Sequence, residues 1–146
     1  MFDFYKYIEA FNAGDDKSML DRFWVNDLEV WSGRGGEVRL LASGKEGFLN
    51  FLNSVHDGVR ELVRVQVFLQ NEAILFAEND MDFVFSKDRP DYPFGNCRAG
   101  ERITVKMFGL FFLRGDKIAK MKMASWAPNQ GVSLPPTQGF GPPYPM

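Results

Sequence analysis

Between Ala77 and Phe83 the chain reads AENDMDF, with Glu78, Asp80 and Asp82 at every second position. A period of two is that of a half-buried strand, so the three carboxylates share one face. What they can do depends on where that face is turned. Turned to water and paired with Arg102 and Lys106 from the next strand, they form a solvated acidic column. Turned into an apolar interior, they should have raised pKa values, and Asp80 and Asp82 could then hold one proton between them, one acting as acid and the other as base.

The hairpin that carries them gives an expectation. VRELVRVQVFLQ, 59–70, alternates, with Val63, Val65, Val67 and Leu69 on one face. Asn71 and Glu72 can turn the chain into a second strand at about 73–85. A two- or four-residue loop sets Leu69 opposite Ile74, then Val67 opposite Phe76, Val65 opposite Glu78, Val63 opposite Asp80 and Glu61 opposite Asp82. Directly opposed residues share a face, so this register turns the acids toward the core. A one-residue slip reverses that outcome.

Helices precede the strands. Phe4, Ile8 and Phe11, with Tyr7 beside them, form one apolar stripe at helical spacing. Gly14 ends that helix, and Asp15 can cap a short second one carrying Met19, Leu20 and Phe23. DLEVW, 27–31, reads as a strand and SGRGGE, 32–37, as a loop. Ser43 and Glu46 form a capping box ahead of Phe48, Phe51, Leu52 and Val55, and His56 suits the C-terminal end of that helix. Beyond the acidic strand, DRPDYPFGNCRAG is a Pro- and Gly-marked connection. RITVKMFGLFFL and KIAKMKMASW are two further strands, with Arg114-Gly115-Asp116 as their hairpin turn. From 127 the composition shifts: the last segment has no charge and six of the eight prolines. It is either a loose tail or an arm anchored by Phe140 and Tyr144. The expected layout is α+β, with a domain over 1–126 and a tail over 127–146.

The chain has 146 residues, enough for one domain with a substantial core. A net charge of −2 argues against nucleic acid as partner, and no apolar run reaches the roughly 20 residues of a membrane span. The single cysteine, Cys97, suits a reducing compartment, and the expected location is cytoplasmic. With His56 the only histidine, an imidazole metal site is excluded, and no cofactor is expected.

YIEAFNAGD (Tyr7 to Asp15), the short helix to Phe23, a strand, a capped helix and long antiparallel strands resemble the nuclear transport factor 2-like superfamily. That group includes ketosteroid isomerases, SnoaL-like polyketide cyclases, scytalone dehydratases and limonene-1,2-epoxide hydrolases. The resemblance covers 1 to about 126. It implies a cone-shaped barrel, a curved antiparallel sheet covered by three N-terminal helices, with a deep apolar pocket and a tendency to dimerise. It also implies that Tyr7 stands where the isomerases place an oxyanion donor. Their two acids fall at Trp31 and near Gly109, so that dyad is missing. The epoxide hydrolase Arg-x-Asp falls on Asp80-Met81-Asp82, keeping only the Asp. Their second Asp falls on Met123, and their Tyr-x-Asn falls on Glu29-Val30-Trp31.

The resemblance therefore brings Asp82, Asp80, Glu29 and Tyr7 to the cavity as candidate catalytic groups, lined by Trp31, Met107, Phe111, Met121 and Met123. Aromatic rings and thioethers suit a small hydrophobic, aromatic ligand. The expected activity is a cofactor-independent acid–base lyase of elimination or dehydration type, with lignin-type diaryl compounds among its possible substrates. Epoxide hydrolysis, isomerase or cyclase chemistry, and a non-catalytic binding or assembly module are the alternatives.

Overall fold

The structure, a computed structural model, describes residues 1–34 and 37–126. The segment from 127, with Phe140 and Tyr144, lies outside the described residues, as do Gly35 and Gly36. Helix α1 runs Phe4–Asn12 and buries its stripe of Phe4, Tyr7, Ile8 and Phe11. Gly14 takes a positive φ of 83° and ends it. Asp15 then caps α2, Asp16–Phe23, accepting from the Ser18 amide at 3.0 Å. Strand β1 is Trp24–Arg34 and β2 is Glu37–Ser43. The expected SGRGGE loop is thus mostly strand, and β2, whose exposed residues give little alternation, went unseen in the sequence. Helix α3, Gly44–Val55, starts where expected, but Ser43 makes no side-chain cap bond, so the capping box is present in sequence only.

Strands β3, Val59–Gln70, and β4, Ile74–Phe85, form the central hairpin. The Pro- and Gly-marked connection folds into a small hairpin of β5, Arg89–Tyr92, and β6, Gly95–Cys97. β7, Arg102–Arg114, and β8, Lys117–Trp126, close the main sheet, joined by the turn at Gly115 and Asp116. The order is β2-β1-β8-β7-β4-β3, antiparallel at every pairing except β1 with β8, which is parallel. This is the expected α+β layout, with the helices on the concave face of a curved sheet.

Edge strand β3 is tied to α1 by one side chain. The amide of Asn12 donates to the Val63 carbonyl at 2.9 Å and accepts from the Val63 N–H at 2.7 Å. It stands in for a neighbouring strand at an otherwise open edge. Further along, Gln70 Nε2 donates to the Phe2 carbonyl at 2.8 Å. These ties fix the distance from the helix bearing Tyr7 to the strand bearing Glu61.

The hairpin register differs from the expectation in a way that decides the site. Gln70 opposes Leu75, Leu69 opposes Phe76 and Val67 opposes Glu78, a shift of two that keeps the expected faces. A bulge at Gln66 then adds one residue to β3, so Val65 opposes Asn79 and Val63 opposes Met81. Past the bulge the faces exchange. Asn79, Met81 and Phe83 join Val63 and Val65 on the concave face. Asp80 and Asp82 stand opposite Arg64 and Leu62 on the convex one.

Candidate active site

Between α1, α3 and the concave face lies a cavity of about 180 Å³. Met81, Met107, Met121 and Met123 share its walls with Phe48, Phe51, Phe83 and Phe111. Phe111 reaches it because Gly109, two residues earlier on the same face, has no side chain. A Cβ there would stand 2.7 Å from the Phe111 ring. The β5–β6 hairpin adds Tyr92, Pro93 and Phe94. It is pinned by Arg89, which donates to the carbonyls of Ser54 at 3.2 Å and Asp57 at 2.7 Å.

Among the described residues, one carboxylate lines this largely apolar space. Glu61 is the third residue of β3, its side chain 8% exposed. Its Oε2 lies 2.8 Å from Nε2 of His56, whose Nδ1 lies 2.7 Å from Oδ2 of Asp16. The local sequence explains the meeting. His56 ends α3, its N–H bonded to the Leu52 carbonyl. Gly58, at φ +68°, then reverses the chain into β3, where a Cβ would lie 2.3 Å from Lys87 Cγ. Asp16, in the first turn of α2, completes the row.

Burial sets the protonation of this row. Burial pushes the Glu61 carboxyl up, against the lowering effect of His56. Burial alone would depress the His56 imidazole, but hydrogen bonds and charge from Asp16 and Glu61 outweigh it and raise the pKa to about 9. His56 is therefore an imidazolium at neutral pH, clamped between two acids. Tyr7 and Tyr92 both line the cavity, and burial first, then the charge of Glu61, pushes both phenols well above their usual range. They stay neutral and can donate hydrogen bonds. Asn79 also lines the cavity; it is 4% exposed, and its Oδ1 has no hydrogen-bond partner. A buried acceptor left unpaired costs about 1–3 kcal/mol.

A pH dependence follows. The His56 pKa is raised on folding, so its contribution to stability is complete below about 6.5 and is lost as pH rises through about 9. The full effect is of the order of 3 kcal/mol. Thermal melts should show the natural protein losing stability between pH 6.5 and 9, and His56→Gln lacking that slope. A natural protein with a flat profile across this window would contradict the clamped imidazolium.

Of the residues expected at the site, Tyr7, Met107, Phe111, Met121 and Met123 line the cavity. Asp80, Asp82, Glu29 and Trp31 do not. Asp80 and Asp82 are buried on the convex face in an ion network, because the bulge at Gln66 turned them over. Arg64 grips Asp82 at 3.0 and 3.1 Å, and Thr104 donates to it at 2.7 Å. Lys106 Nζ lies 2.9 Å from Asp80 and 2.6 Å from Glu78. The expected pairing with Lys106 is present, but the acids stand neither in open water nor in the apolar pocket. Glu29 and Trp31 stand opposite Lys120 and Lys122 of β8. Trp31 donates to Glu29 at 2.9 Å, and Lys120 pairs with Glu29 at 3.3 Å. Both residues take the side opposite Val30, which is fully buried.

Glu61 and the role of His56 escaped the sequence reading. Glu61 had a signal: it is the one charged side chain among positions 59, 61, 63, 65, 67 and 69, which otherwise hold only Val and Leu.

The helices, curved sheet and cavity make up the nuclear transport factor 2-like fold, as the sequence resemblance implied. No family model matches the chain, and no curated protein matches it. Solved structures do. A candidate polyketide cyclase from Xanthomonas campestris pv. campestris is 25% identical, with 81% of this chain and 83% of that one covered and a TM-score of 0.64. A SnoaL-like polyketide cyclase from Agrobacterium tumefaciens is 15% identical, with 84% and 87% covered and a TM-score of 0.63. A protein of ketosteroid isomerase-like fold from Catenulispora acidiphila, in complex with trimethylamine, is 13% identical. Its coverage is 85% and 84%, with a TM-score of 0.62. No described helix is long and apolar enough to cross a membrane.

Proposed function

We propose that the protein is a cofactor-independent acid–base enzyme that acts on a small hydrophobic ring compound by elimination. The observation that carries this reading is the Glu61 carboxyl, raised by burial in a cavity of methionine and aromatic side chains and backed by His56 and Asp16. A carboxyl whose pKa burial has raised is better matched to taking and returning a proton than an ordinary one. As carboxylate, Glu61 removes a proton from a carbon next to a carbonyl. The electron pair left behind forms the new double bond as the β-hydroxyl departs. The proton on Glu61 passes to that hydroxide, which leaves as water. The neutral Tyr7 phenol donates to the enolate oxygen while charge is on it. His56, held as imidazolium, restrains the Glu61 carboxyl and steadies its charge.

Size narrows the substrate. A cavity of about 150 Å³ accepts benzene, so about 180 Å³ suits one or two rings better than a steroid-sized body. The same deprotonation of a carbon acid would begin a ring closure, and several neighbours of this fold bear cyclase names. A panel of one- and two-ring β-hydroxy carbonyl compounds, followed by absorbance of the conjugated product, tests the reading. Turnover by the natural protein that Glu61→Gln abolishes is the expected result. Saturable binding with no turnover from pH 6 to 9 would make the protein a binding module instead.

The convex face suits self-association. Leu69, Ile74 and Phe76 are exposed there, Leu69 at 71%, with Phe108 stacked on Phe76. Sedimentation should give a mass above the 16.7 kDa of one chain, and Phe76→Glu should lower it toward that value. A natural protein that sediments as one chain would refute this.

A further inference from the structure

We infer that Asn79 is the specificity-determining residue of the cavity and selects ligands that bring a hydroxyl group to it. The inference rests on the cavity reading above and goes further by naming the ligand's polar handle. Asn79 stands on the cavity floor at the rung Val65–Asn79–Met107, with Met81 and Val63 on the next rung and Glu61 with Phe83 on the one beyond. Four residues of strand separate Asn79 from Phe83, about 13 Å of backbone. The floor between the amide and the carboxyl is apolar.

Two amide side chains tie the helices to the sheet, and a third, Gln66, is buried with an unpaired Nε2 but does not line the cavity. Asn12 holds Val63 and Gln70 holds Phe2. Asn79 is different: it is almost wholly buried, it lines the cavity, and its Oδ1 accepts from nothing. Its ladder neighbours Val65 and Met107 have no side-chain donor to offer. An orphaned acceptor on a cavity-lining side chain discriminates strongly once the amide turns it to the ligand. A ligand hydroxyl satisfies it, whereas an isosteric hydrocarbon leaves it unpaired and brings no compensation. The ligand class is therefore a one- or two-ring molecule whose hydroxyl lies at Asn79, whose apolar body lies on Met81 and Met107, and whose reacting carbon lies toward Glu61.

The matched probes 2-naphthol and naphthalene, which differ by that hydroxyl, test it by calorimetric titration. The natural protein should bind 2-naphthol at least about tenfold more tightly. Asn79→Leu should bring the ratio close to one while keeping or improving naphthalene binding. If Asn79→Leu does not fold, Asn79→Ala reads the same ratio. Equal binding of the two probes by the natural protein overturns the inference, as does a preference that survives removal of the amide. A preference lost in Glu61→Gln but kept in Asn79→Leu would place the hydroxyl at Glu61, ending this inference while the acid–base reading stands. A preference kept in Glu61→Gln with no turnover of any carbon acid would support Asn79 and sink the enzyme. Failure of both probes to bind overturns the cavity reading and this inference together.

Discussion

Glu61→Gln is expected to lower turnover by about 10²- to 10⁴-fold, the usual contribution of a positioned general base or acid. The amide keeps the shape of the carboxyl, so the cavity and substrate affinity should survive. The loss should therefore fall on kcat, with KM little changed. His56 provides an internal control. Without the Glu61 charge its imidazolium keeps only Asp16 as an anionic partner, so its pKa should fall from about 9. Proton NMR of the imidazole ring reads that shift. A kcat that stays within a few-fold of natural, with the His56 pKa lowered as stated, would show that Glu61 sits in the site and does no chemistry.

The largest expected effect on stability lies on the other face of the sheet. Lys106→Met should destabilise the fold by about 3–5 kcal/mol, because it leaves the fully buried Asp80 and the neighbouring Glu78 without their ammonium partner. Burial alone would push the Lys106 pKa down, yet the hydrogen bond to Glu78 and the ion pair with Asp80 more than offset this and raise it. Adding Asp80→Asn to Lys106→Met should recover much of the loss, since the uncompensated charge is what costs. Urea denaturation of the two single variants and the double gives the coupling directly. Two single losses that simply add, with no recovery, would mean that Lys106 and Asp80 act independently.

The features legible in the sequence were those set by local chemistry. The stripe of α1, the Asp15 cap, the start of α3, the β7–β8 turn and the membership of the fold all depend on residues close together in the chain. The faces of β4 were not legible, because they depend on a bulge in β3 that no residue near Gln66 announces. Val63 through Val67 alternate without a break, and the extra residue appears only when the ladder to β4 is drawn. One inserted position moved Asp80 and Asp82 from the expected pocket to an ion network on the far side. The same insertion delivered Asn79 and Met81 to the cavity in their place. Glu61 was passed over for a related reason. The expected register sets it opposite Asp82 and gives it no role, although its place among the valines sets it apart. The meeting of Asp16, His56 and Glu61 joins α2, the end of α3 and β3, and tertiary packing decides it.

The central claim is that Glu61 is a cavity carboxyl of raised pKa, coupled to His56 and reached by ligand. Carbon-13 NMR of the glutamate side-chain carboxyls against pH, with and without 2-naphthol, tests it most directly. The account predicts one glutamate resonance that titrates above the ordinary 4.5, vanishes in Glu61→Gln and shifts on ligand addition. If every glutamate titrates at or below the ordinary value and none responds to the ligand, Glu61 is a solvated surface acid and the proposed chemistry has no base.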